Sequence, residues 1–245
     1  MMGITTLKKE AWQKLRNNWR FLVVLTWPLI AWQIFTLLLS YGDSIQEGVT
    51  VVKPSSVLFA LSRTLWAGLI EAIIIGVISL GVMWTMVEWS RDKMEFKQTG
   101  LLSFRFFKRE TVIDSVVLMA IRFLYTLLWS CLLVVPGIIK NISYSQAEFI
   151  YAEDVKRGVA IESINEYITR SRVLMDGHKW EYFLLQITFI PWWILVALTS
   201  GLATFWVIPY YELTMTNFYL GLKKAQADDL DTKDDSTSEV IEDDK

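Results

Sequence analysis

Long apolar runs separated by short polar gaps dominate this chain, and its basic residues fall almost entirely into alternate gaps. A run of roughly 20 apolar residues is what a helix needs to cross a bilayer, and Lys/Arg bias between runs reports which face each gap occupies. That pattern restricts the fold to an all-α, polytopic membrane protein of about six transmembrane helices. Apolar residues make up 53% of the 245, with mean hydropathy +0.35. Twelve tryptophans are an excess of the residue that gathers at the headgroup level.

The runs place spans near 21–40, 64–87, 112–135, 138–152, 182–199 and 202–221. Pro28 is a kink expected in the first, and a tight turn at Ser200-Gly201 separates the last two. Gly68, Ala72 and Gly76 set a small-residue seam along the second, against which a neighbouring helix packs closely. Residues 138–152 are short for a span and include Lys140 and Glu148. Charge decides that case. If the segment crosses, twenty basic residues lie on one face and three, including Lys53 and Lys140, on the other. If it does not cross, the two faces are nearly equal. The positive-inside rule therefore selects six crossings with both termini cytoplasmic.

Between the spans lie amphipathic stretches. Residues 1–20 place Leu7, Ala11, Leu15 and Trp19 on one stripe among lysines and arginines, an N-terminal interfacial helix suited to anionic lipids. Ser90 to Thr111 mixes six cations with phenylalanines and leucines, an expected interfacial segment. Ala160, Ile161, Ile164, Ile168, Ser171 and Leu174 mark one face of a cytoplasmic amphipathic helix that stops near Asp176-Gly177. Residues 225–245 hold nine acids and two lysines, an acidic tail expected to be disordered, which leaves the preceding 224 residues, the membrane domain of 21–224 among them, at a net +5. A basic membrane body with an acidic tail is not a nucleic-acid binder. Cys131 is the sole cysteine, so no disulfide forms within the chain.

An ordered series of short motifs runs through the second half. Val135-Pro136-Gly137-Ile138-Ile139 is followed by Ser171-Arg172-Val173-Leu174-Met175-Asp176-Gly177-His178-Lys179. Then come Phe183, Thr188-Phe189-Ile190 with Trp192 or Trp193, Pro209-Tyr210 and Asn217-Phe218-Tyr219. The series resembles the bacterial integral-membrane family catalogued as domain of unknown function 975. The likeness is strongest from Pro136 to Leu222 and extends to Lys224, with Leu15-Arg16-Asn17-Asn18-Trp19 similar to the family's opening. The Pro-Gly-Ile-Ile and Ser-x-x-Leu elements are also distantly similar to the membrane domain attached to some glycerophosphodiester phosphodiesterases. What the resemblance implies is a multi-pass protein of the bacterial cytoplasmic membrane. It supplies no catalytic residues.

Ionisable side chains within spans carry the functional expectation. Arg122 lies ten residues into the third span, ~15 Å deep at ~1.5 Å per residue. Glu71, Glu148 and Glu212 fall at similar depth, so a carboxylate partner for Arg122 is expected inside the bundle, forming an intramembrane polar cluster. Pro136 and Gly137 are expected as a turn at the outer surface, and Pro209 as a helix break, because proline frees the carbonyl four residues back. Arg170, Arg172 and Lys179 are candidate contacts for lipid phosphate. His178, the only histidine, has no cysteine or second histidine to complete a zinc site. With no metal-ligand spacing, no cofactor motif and no catalytic constellation, an enzyme is not expected. Two functions remain: a non-enzymatic envelope protein that organises, protects or assists through a membrane-protein partner, a second copy or lipid, and a carrier or channel for a small solute, ion or lipid that uses the Arg/Glu cluster.

Overall fold

The structure, a computed structural model, describes residues 3–46, 54–92, 99–108, 111–132, 134–159 and 163–243, and every regular element among them is helical. Four stretches have the length and apolar character to cross a membrane: Trp19–Thr36, Gly68–Arg91, Val112–Cys131 and Lys179–Leu198.

Helix α1 (Ile4–Asn17) buries Leu7, Ala11 and Leu15 of the predicted stripe, whereas Trp19, its fourth member, begins the next helix and is exposed. The stripe faces protein, not lipid alone. Asn217 in α10 (Thr204–Asp243) accepts from Lys14 Nζ at 3.1 Å, and Trp12 stacks near Trp192 and edge-on to Tyr210. Helix α2 (Trp19–Gln46) passes through Pro28 without interruption. Helix α3 (Pro54–Asp92) extends well beyond the span expected at 64–87; residues 47–53 of the intervening loop lie outside the described part of the chain.

The segment expected along the membrane surface is wedged between helices instead. Thr99–Phe107 forms a 3-10 helix whose Ser103 hydroxyl donates to the Leu25 carbonyl of α2 at 2.5 Å. On its other side Gly81 of α3 admits the backbone itself: a Cβ there would stand 2.2 Å from the Ser103 carbonyl oxygen. Of its aromatics Phe106 is buried and Phe104 half-buried, while Phe107 stays exposed; residues 93–98 and 109–110 are outside the described part. The small-residue seam faces α4 (Val112–Leu132). A Cβ on Gly76 would meet Met119, and one on Gly68 would touch Phe123.

Two of the six expected spans are each built from two short helices. After α4 the chain returns as α5 (Val134–Tyr144), pauses at Ser145-Gln146, and continues as α6 (Ala147–Arg157). Pro136 and Gly137 are therefore not a turn. They lie in the first turns of α5, where a missing N–H leaves no hydrogen bond unmade, and a Cβ on Gly137 would be 2.5 Å from Ser130 Oγ of α4. Helix α7 (Ile164–Leu174) packs on α4, α5 and α6, and Gly177 follows it with φ 77°, the left-handed stop its sequence predicts. The next span is α8 (Lys179–Ile187) and α9 (Ile190–Leu198), broken at Thr188-Phe189 just ahead of Pro191. Ser200 and Gly201 take positive φ in the predicted turn. Helix α10 runs straight through Pro209, so that proline opens no break. It also continues into the acidic tail as far as Asp243, where composition led us to expect disorder; extending an existing helix costs far less than starting one.

Candidate functional site

Arg122 projects from the middle of an apolar helix, where an unpaired guanidinium costs several kcal/mol or more. Its partner is Glu148, in the first turn of α6, which receives a hydrogen bond from Arg122 Nη1. The pause at Ser145-Gln146 places that carboxylate at a helix N-terminus, where the aligned peptide dipoles favour negative charge. Both side chains are largely removed from solvent, at 23% and 8% exposure.

The break supplies its own hydrogen bonds. Ser171 of α7 accepts the Gln146 backbone N–H and donates to the Ser143 carbonyl. Gln146 Nε2 donates to Ser145 Oγ at 2.8 Å. Gln146 Oε1, however, is buried and meets no donor among the described residues. In a low-dielectric interior an acceptor left so costs about 1–3 kcal/mol, which makes it a place where a ligand donor is rewarded.

That amide opens onto a cavity of about 320 Å³ between α3, α4, α6, α8 and α10. Glu71, Arg122, Glu148 and Glu212, the four residues expected to share a depth, all line it. Their roles differ. Glu71 is exposed and accepts the Trp32 indole N–H at 3.0 Å, rather than pairing with Arg122. Glu212 has no partner for its carboxylate among the described residues. Tyr182, Tyr211 and Met215 complete the wall, and Gln186 anchors the Tyr211 hydroxyl at 2.9 Å. Gln146 and the tyrosines escaped the sequence reading. The polar run Ser143-Tyr144-Ser145-Gln146 inside an otherwise apolar segment was the signal available for the break.

The three cations expected to meet lipid phosphate do not form one patch. Arg170 is held by Asp154, whose hydrogen bond raises the guanidinium's already high pKa, and it lies over the Tyr167 ring. Lys179, the first residue of α8, pairs with Asp176 in the turn that precedes it at 3.2 Å. Only Arg172 remains without a carboxylate among the described residues. His178 contacts Glu181 at 3.3 Å.

A second set of charges gathers at one end of the bundle. Glu88 of α3 receives Arg105 at 2.5 Å and also Lys156. Glu153, at the polar end of α6, receives Arg157 at 2.6 Å, Arg91 at 3.3 Å, Lys223 at 3.7 Å and the Tyr219 hydroxyl. Burial by itself would raise the Glu153 carboxyl; the Tyr219 hydrogen bond and the three cations outweigh it and hold the group below the ordinary carboxylate value. These cations come from the gaps that charge bookkeeping assigned to the inner face.

Residues 131–226 match the model of a family described as Protein of unknown function (DUF975). The match coincides with the stretch where the sequence resemblance is strongest. No curated protein and no solved structure matches the chain.

Proposed function

We propose that this protein, whose residues 131–226 carry the domain of unknown function 975, is a membrane carrier for a small donor-rich cation, such as a protonated amine. The observation that carries the reading is the interrupted helix α5/α6 opening onto the polar cavity. Carriers use such interruptions because backbone and side-chain polar groups become available to solute at mid-membrane depth. The wall sets the chemistry. Three carboxylates face one guanidinium, and among the described residues Glu212 lacks a partner and the Gln146 side-chain carbonyl lacks a donor. Each unmet demand is for a hydrogen-bond donor or a positive charge.

The topology that goes with this reading puts both termini and the basic end of the bundle on the inner side of a bacterial cytoplasmic membrane. Arg91, Arg105, Lys156, Arg157 and Lys223, from the second, fourth and sixth gaps, converge on Glu88 and Glu153 at one end of the bundle, which supports it. A second reading, a non-enzymatic accessory protein acting through a partner, has in its favour the cleft bounded by Trp12, Leu15, Arg16, Trp19 and Trp206.

The test is uptake by reconstituted vesicles. Radiolabelled methylammonium or putrescine should enter saturably, with acetate and glucose excluded. Glu212→Gln and Gln146→Leu should each lower affinity roughly tenfold or more, the loss of one charge-assisted or buried hydrogen bond. Uptake no greater than in protein-free vesicles, with no binding to the purified protein, would rule the carrier out and favour the accessory reading.

A further inference from the structure

Away from the acidic cavity, α7 crosses the α4–α5 hairpin over a groove of about 290 Å³ lined by Tyr125, Trp129, Tyr144, Asn165, Thr169 and Arg172. The groove is cationic. Arg172 is exposed and makes no ion pair among the described residues, and the Lys140 ammonium sits over the Trp129 ring, 4.6 Å from its centroid, also without a carboxylate. The Tyr125 hydroxyl is oriented by Asn165 Oδ1 at 3.1 Å, which turns the Asn165 amide nitrogen, a donor, away from that bond. Charge bookkeeping put Lys140 and Arg172 on opposite faces of the membrane, yet the fold brings both beside Trp129.

The geometry points to this groove as a binding site for the phosphate of an anionic phospholipid. Arg172 and the neutral donors form a cradle for a phosphodiester, which the planar guanidinium grips with two parallel hydrogen bonds, and Lys140 adds a second positive charge beside it on the Trp129 ring. What selects a lipid over a free anion is the rim. Leu128, three residues on from Tyr125, and Val173, four on from Thr169, share helix faces with those groove residues and are 55% and 67% exposed. Apolar side chains that open continue from the headgroup cradle as a surface for acyl chains. Trp129 and Tyr125 are the residue types that sit at that polar–apolar boundary. The site shares no lining residue with the acidic cavity, so it does not depend on the carrier reading.

Native mass spectrometry of the detergent-purified full chain, titrated with phosphatidylglycerol, phosphatidylcholine or inorganic phosphate, tests the assignment. Wild type should retain phosphatidylglycerol in preference to phosphatidylcholine. Arg172→Gln and Lys140→Gln should each weaken phosphatidylglycerol roughly fivefold, and the pair about 30-fold. The charge-preserving pair Arg172→Lys with Lys140→Arg should stay within about twofold, because the long-range part of the attraction is kept. This last variant separates lost charge from lost fold. Unchanged phosphatidylglycerol affinity in the double glutamine variant overturns the site. Displacement of the lipid by inorganic phosphate also overturns it, since the groove would then take a free anion.

Discussion

The Ser171 hydroxyl accepts the Gln146 N–H at 3.1 Å and donates to the Ser143 carbonyl at 2.8 Å, so one side chain from α7 closes both sides of the interruption between α5 and α6. The serine is fully buried. Replacing Ser171 by Ala leaves a buried donor and a buried acceptor unmet at once, at about 1–3 kcal/mol for each group. Thermal unfolding in detergent should show Ser171→Ala clearly less stable than wild type. Equal melting temperatures would mean that the break satisfies itself.

Arg122 and Glu148 form a largely buried pair, so removing one partner is worse than removing both. Arg122→Leu or Glu148→Gln alone should cost about 3–5 kcal/mol, and the double variant should recover much of that loss. Arg122→Leu combined with Glu71→Gln should recover nothing, because Glu71 answers to Trp32. Denaturant unfolding of the four variants completes the cycle, and additive single costs for the 122/148 pair would contradict the pairing.

Glu153 makes stability depend on acid. Its folded-state carboxyl lies below the ordinary value of 4.5, so its contribution is fully present above that value and is lost as pH falls through the lower, folded one. Tyr219→Phe removes the strongest of the interactions that lower it. Burial then pulls the group upward, and the acid-induced loss of stability should begin at higher pH in Tyr219→Phe. Melting curves recorded from neutral pH downward measure this; superimposable profiles would show that the cations alone hold the group.

Two glycines of α3 should respond differently to alanine. At Gly81 the new methyl meets the Ser103 backbone carbonyl, which belongs to a segment pinned to α2, and the overpacking should cost about 1–3 kcal/mol or more. At Gly76 it meets the Met119 thioether, whose flexible chain can turn aside. Gly81→Ala should be the less stable of the two by unfolding in detergent. The reverse order would show that the α3–α4 seam tolerates less than the wedge does.

How far the fold was readable differs from element to element. Leu7, Ala11 and Leu15 are buried as their four-residue spacing requires, because helical periodicity is local. Asp176-Gly177 and Ser200-Gly201 end their elements for the same reason: backbone sterics act at those residues themselves. Prolines misled in both directions. Pro136 sits inside α5 and Pro209 inside an unbroken α10, while the breaks fall at Ser145-Gln146 and Thr188-Phe189. Whether a helix pauses depends on what can bond to its freed backbone groups, and Ser171 is a neighbour only in three dimensions.

What the sequence determined by itself is the membrane-compatible helical architecture, which follows from counting residues along a helix of fixed rise, and the grouping of Arg122, Glu71, Glu148 and Glu212, which line one cavity. The choice of partner belongs to the tertiary structure alone. Arg122 meets Glu148 and not Glu71, the aromatic-cationic loop inserts between α2 and α3, and Lys140 comes to share Trp129 with Arg172. Depth restricts a side chain to a level. Helix rotation and packing select which of the groups at that level it touches.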